Sequence, residues 1–184
     1  MGRWTLLSAG ALGAIVLAVV VAQGQQSSKQ APLTALDYAE IQQLVSRYAH
    51  VHDGCLNDGK TYAELYVPDG VFTNQTGVVF AGRERLALAS RGERGCQNRS
   101  PLNVGHFTVN LVISQTPEGI TGDSYMANIN NGENGQPSRV NSAGKYHDVY
   151  VKTPDGWRFK TRTYTLARRS NDPTPGATAA PSAR

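Results

Sequence analysis

Two side chains far apart in the chain, the carboxylate of Asp53 and the imidazole of His106, are of the types that together move a proton. A carboxylate accepting from one ring nitrogen fixes the tautomer and stabilises the imidazolium, so the other nitrogen can act as a base. His106 lies in the stretch NVGHFTVNLVIS, residues 103–114. Read as a strand, that stretch alternates: Phe107, Val109, Leu111 and Ile113 fall on one face, His106, Thr108, Asn110 and Val112 on the other. The His106 face carries an imidazole, a hydroxyl and an amide at two-residue spacing, a layout suited to a pocket with a few placed polar groups. The opposite face is wholly apolar. With the helices expected on the other side of the sheet, it predicts a dimer or higher oligomer through that surface.

The elements that must position this pair can be read on either side of it. Thr34 with Asp37 three residues on forms a capping-box start, and the helix it opens runs to about Asp53. Ile41, Leu44, Val45, Tyr48 and His52 form its inward stripe, so Tyr48, His52 and Asp53 lie along the buried side of its C-terminal end. Gly54 stops it. A short helix over residues 61–67 carries Tyr62, Leu65 and Tyr66, and Pro68-Asp69-Gly70 reads as a turn. Short strands at 71–73 and 78–80, a third helix at 82–90 and a polar loop at 91–102 precede the His106 strand. Strands at 120–129, 146–152 and 157–166 follow, with a polar Gly/Asn loop at 130–142 and a hairpin turn at 153–156. Helices followed by antiparallel strands predict an α+β fold. A curved antiparallel sheet wrapped around the long N-terminal helix and two short helices closes into a cone with a cavity at its open end. Asp53 and His106 can both reach its mouth. Tyr48 and Asn110 are candidate polarisers there, and His52, Tyr66 and Tyr146 are candidate substrate-binding side chains.

Composition bounds the function. The chain has 184 residues. Residues 1–22 pair Arg3 with an apolar run ending Val20-Val21-Ala22, which reads as a secretory signal peptide, with an uncleaved membrane anchor as the alternative. Residues 23–32 read as a linker, 33–168 as the domain and 169–184 as a Pro/Ala-rich disordered tail. The formal net charge is +4. Its basic residues, Arg158, Lys160 and Arg162 among them, are scattered without interleaved aromatics, which reads as a solvated surface and not as a nucleic-acid platform. Cys55 and Cys96 form an even count that permits a disulfide in an exported chain, two separate thiols being the alternative. His50, His52, Asp53 and His106 are metal-ligand types, but His50 and His52 point to nearly opposite sides of a helix, so no metal site is expected.

The set EIQQLVSRYAHVHDG (40–54), LYVPDGVF (65–72), AGRERL (81–86), GHFTVNLVI (105–113) and GKYHDVYVKTPDGWRFKTR (144–162) resembles the SnoaL-like branch of the nuclear-transport-factor-2-like superfamily. Scytalone dehydratase and hexachlorocyclohexane dehydrochlorinase are the nearest analogues in active-site pattern. The resemblance covers residues 33–168. It implies the α+β cone, an Asp at the end of the first helix orienting a His at the start of a central strand, and proton abstraction from carbon followed by loss of a leaving group. The matching positions are Asp53 and His106. The chain departs from the dehydratase in having His52 where that enzyme has Tyr, and His147 does not align with its second catalytic His. The expected function is an exported, cofactor-independent lyase or isomerase acting on a small, mostly apolar organic molecule. A non-catalytic ligand-binding or interaction module of the same fold is the alternative. An epoxide-opening hydrolase is weaker, since no second inward acid is identifiable from the sequence.

Overall fold

The computed structural model describes residues 31–96, 105–117, 119–130, 132 and 136–167. The expected signal peptide, most of the linker and the tail lie outside them. Helix α1 (Ala35–Asp53) starts where Thr34 accepts from the Asp37 backbone N–H, while the Asp37 carboxylate accepts from the Thr34 backbone N–H at 2.9 Å. The same carboxylate accepts from Trp157 Nε1 at 3.0 Å and Lys152 Nζ at 2.6 Å. One side chain thus caps the helix and ties it to the last hairpin. Ile41, Leu44, Val45, Tyr48 and Val51 are its buried face. At its other end Gly54 is right-handed; the chain breaks direction just after it, where Cys55, Asn57 and Asp58 all take positive φ. Cys55 and Cys96 are joined in a disulfide, which holds this turn against the segment after the third helix.

Helix α2 (Lys60–Ala63) and strand β1 (Tyr66–Thr73) follow, then β2 (Val79–Ala81), α3 (Gly82–Arg91), β3 (Gly105–Thr116), β4 (Gly119–Asn130), β5 (Arg139–Thr153) and β6 (Gly156–Leu166). The six strands form one curved, unclosed sheet in the order β2-β1-β6-β5-β4-β3. It is not wholly antiparallel: β1 runs parallel to β6. The expected Pro68-Asp69-Gly70 turn is an irregularity within β1, between Tyr66 and Val71. A proline has no N–H for the ladder, so the pairing lapses there and resumes. Residues 139–142, expected as loop, begin β5 and pair with 128–130, because pairing along β4 outweighs their weak intrinsic strand preference.

Two bulges decide which side chains face inward. In β3, Val109 pairs with Tyr125 and Val112 with Asp123, so Asn110 and Leu111 share one partner position. Asn110 adopts φ 55°. The alternation therefore flips: His106, Thr108, Leu111 and Ile113 face the helix side, while Phe107, Val109 and Val112 are exposed. The expected apolar face is split, with Leu111 and Ile113 packed on the core. In β6, Phe159 pairs with Tyr150 and Thr161 with Val149, which leaves Lys160 as the extra residue. Arg162 is thereby turned inward and is fully buried, not part of a solvated surface. Because asparagine tolerates left-handed backbone and a β-branched residue does not, Asn110→Val is expected to cost about 1–2 kcal/mol, and Asn110→Gly close to nothing. Urea unfolding midpoints of the two variants check this.

Candidate active site

The end of α1 meets the start of β3. Asp53 Oδ1 lies 2.5 Å from His106 Nδ1, and Asp53 Oδ2 accepts from the His106 backbone N–H at 2.8 Å. Both carboxylate oxygens are therefore spent on one residue, which fixes the ring's position and its rotation together. Burial acts to raise the Asp53 carboxyl. The ring and backbone hydrogen bonds from His106 and the nearby imidazoles act the other way and leave it below the ordinary aspartate value. An ionised Asp53 takes the hydrogen on Nδ1, so Nε2 carries the lone pair. Nε2 is 3.2 Å from Asn128 Nδ2, an amide donor on β4.

Nε2 and Asn128 share a hollow of about 360 Å³ inside the cone. Its walls include Tyr48, His52, Phe72, Phe80, Met126, Tyr146 and Tyr164, and its rim Asn74, Gln75, Asn141 and Ser142. Tyr48 stacks on His52 at 5.6 Å and meets His106 edge-on at 6.1 Å, and the His52 and His106 rings lie 4.7 Å apart. The hydroxyls of Tyr48 and Tyr146 are hydrogen-bonded at 2.8 Å. A larger hollow of about 490 Å³ lies between α1 and the free edge of β3, lined by His50, Asp53 and Phe107. The inner hollow is the one with convergent aromatic and polar groups around Nε2, and we take it as the site.

Of the residues marked in the sequence, His106, Tyr48, His52 and Tyr146 line this hollow, while Asp53 lines the larger one and reaches the site through its hydrogen bonds to His106. Asn110 does not: its bulge leaves it exposed. Tyr66 is sealed in the core with its hydroxyl on that of Tyr62 at 2.8 Å. His147 faces outward and pairs with Asp123 at 2.8 Å. Among the described residues no cluster of three or more metal-ligand side chains occurs.

Three residues were missed. Asn128 sits on the face of β4 that also carries Met126, and an amide on an otherwise buried face was the signal available. Asp148 and Arg162 are an inward ion pair, each fully buried, with Arg162 Nε and Nη2 both 2.8 Å from the carboxylate. Asp148 is the second inward acid that had not been identified. Neither it nor Asp53 is among the side chains that line the hollow. Tyr150 donates to it at 2.9 Å, and Gly122 makes the room, since a Cβ there would stand 2.5 Å from the Tyr150 hydroxyl.

The described chain resembles several solved structures in fold. An NTF2-like protein with a cystatin-like fold from Novosphingobium aromaticivorans shares 21% identity over 74% of this chain and 85% of its own, with a TM-score of 0.64. ActVI-ORFA from Streptomyces coelicolor shares 22% over 72% and 98%, with a TM-score of 0.60. A Catenulispora acidiphila protein in complex with S-DNPA shares 24% over 72% and 95%, with a TM-score of 0.59. No curated protein matches the sequence. The SnoaL-like domain matches residues 33–163, and the chain belongs to that family, with its α+β cone.

Proposed function

We propose that this protein is an exported, cofactor-independent lyase or isomerase that removes a proton from carbon in a small, mostly apolar organic molecule. The observation that carries the reading is His106, held by Asp53 at Nδ1 while Nε2 opens on an aromatic-walled hollow. A substrate entering displaces the Asn128 amide from Nε2 and presents a C–H in its place. His106 takes the proton, Asp53 balances the imidazolium, and the C–H electron pair moves into the substrate to isomerise it or expel a leaving group. The Catenulispora neighbour, solved with a small molecule, supports a pocket for such ligands. The test is solvent-deuterium incorporation, followed by proton NMR, into cyclic and aryl ketones with a β-leaving group. Incorporation that depends on His106 supports the reading; none across the panel rejects it.

A second reading is favoured by the Asn128 contact, which leaves Nε2 satisfied at rest. The cone would then hold a ligand without turning it over. It expects binding of panel members that survives His106→Ala, with no exchange in either protein.

Export is supported by the apolar N-terminal run behind Arg3 and by the Cys55–Cys96 disulfide. The mature chain is expected to begin near Gln23, which mass spectrometry of secreted material checks. Self-association is supported by Phe107, Val109, Val112 and Tyr125, all exposed on the outer face of β3 and β4. A dimer at micromolar concentration is expected by sedimentation, and Val109→Lys with Val112→Lys is expected to yield monomer. A wild-type monomer removes this part of the proposal.

A further inference from the structure

Proton transfer at His106 makes no use of a cation buried deep in the described fold. Arg162 is 0% exposed, and two of its nitrogens are held by Asp148, itself held by Tyr150. Its third nitrogen, Nη1, has no hydrogen-bond partner among the described residues. What the cation has instead is rings. Its Cζ lies 4.1 Å from the centroid of Tyr48, 4.2 Å from Tyr146 and 4.2 Å from Phe159. Burying an ion pair this deeply is costly, and an apolar pair of similar volume would often serve stability as well. The placement therefore asks what the charge does.

The two tyrosines under the cation both line the hollow, and their hydroxyls are hydrogen-bonded to each other. Two phenols own two hydroxyl hydrogens and use one between them, which leaves one to donate to a ligand. Across from them stands the base, with Tyr48 edge-on to His106. We propose that Arg162 is a positioning residue that acts through the Tyr48–Tyr146 hydroxyl pair, making it a donor site for a ligand oxygen that carries or develops negative charge, an enolate or a phenolate.

A guanidinium on the face of a phenol draws ring electron density toward itself and strengthens the O–H as a donor. In a low-dielectric wall its field also reaches the ligand oxygen with little screening. Burial pushes both phenols above the ordinary tyrosine value, with Arg162 opposing, so they remain protonated and donate. The assignment rests on the dyad reading for its chemistry. The C–H proton goes to Nε2, the C–H pair becomes the C=C of the enol form, and the carbonyl π pair settles on the oxygen that the phenols hold.

The probe is 4-nitrophenol, whose ionisation is read by its phenolate colour while bound to the full-length protein. The wild type is expected to bind it and to lower its apparent pKa below the free value. Replacing the ion pair by Arg162→Met with Asp148→Asn should raise that pKa by about one unit, a tenfold loss of phenolate at fixed pH. Asp148→Asn alone, which leaves the cation unneutralised, should lower the pKa further. A merely structural role predicts no such opposed pair of shifts. Failure of the wild type to bind 4-nitrophenol, or the same ionisation in all three proteins, overturns the inference. If the double variant does not fold, Asp148→Asn decides by the sign of its shift. Loss of the dyad reading is separable: phenolate stabilisation that depends on Arg162, with no deuterium exchange on any ketone, leaves an oxyanion-binding hollow without a working base.

Discussion

His106→Ala is expected to lower turnover about 10²–10⁴-fold while leaving the fold intact, the range that removal of a positioned general base brings. The imidazole is small and lies at the cavity wall, so its loss opens space already continuous with the hollow and strands little apolar packing. It does strand Asp53, whose Oδ1 loses the ring while Oδ2 keeps the backbone N–H of residue 106. Asp53→Asn should be milder in turnover and distinctive in pH behaviour. An amide can donate to Nδ1 as well as accept, so the ring loses its fixed tautomer and its counter-charge together. The carboxyl's depressed ionisation also ties Asp53 to stability. A group with a lowered folded value contributes stability above the unfolded aspartate value, and that contribution is lost as pH falls through the folded value. The wild type should therefore lose stability on acidification below about pH 4, and Asp53→Asn should flatten that part of the profile. Steady-state rates, circular dichroism and urea midpoints between pH 3 and 7 read all of this out. A His106→Ala protein that still exchanges carbon-bound protons at the wild-type rate would end the dyad assignment.

What could be read from the sequence was whatever depends on regular period. The capped first helix and its inward stripe of Ile41, Leu44, Val45 and Tyr48 follow from spacings of three and four, and the structure has them there. What could not be read were the interruptions. A bulge at Asn110 carries no compositional mark beyond asparagine's tolerance of left-handed backbone, and it moves Asn110 out of the site and Leu111 into the core. The extra residue at Lys160 does the same to Arg162, which strict alternation from Trp157 and Phe159 would have placed on the outside. A period-two reading is right only until the first bulge, after which every inference of facing inverts. The parallel pairing of β1 with β6 was hidden for another reason: no local pattern distinguishes a strand that joins its sheet beside the last strand from one that starts a meander. The residues that were missed, Asn128 in the lining of the hollow and Asp148 and Arg162 outside it, are polar groups on inward faces. Their burial depends on partners more than a dozen residues away.

Arg162→Met alone is expected to cost about 3–5 kcal/mol, the largest stability effect of any substitution considered. The methionine fills much of the space between the Tyr48, Tyr146 and Phe159 rings, so the loss is not chiefly of packing. It comes from Asp148, which is 0% exposed and keeps only the Tyr150 hydroxyl as a partner. A buried carboxylate so left must either bear its desolvation or take up a proton. Stability should then recover as pH is lowered, because the folded variant binds a proton that the unfolded chain does not at the same pH. Adding Asp148→Asn removes the stranded charge and should return most of the lost free energy, so the double variant is expected to be more stable than Arg162→Met. The sign of this coupling distinguishes two accounts of the ion pair. If the pair holds the strands together, the double variant falls below both singles. If it is a charge installed for the hollow and neutralised so that it can be buried, the double variant rises above Arg162→Met while the phenolate preference of the hollow is lost. Urea unfolding of the wild type, the two singles and the double at pH 5 and 7 completes the cycle.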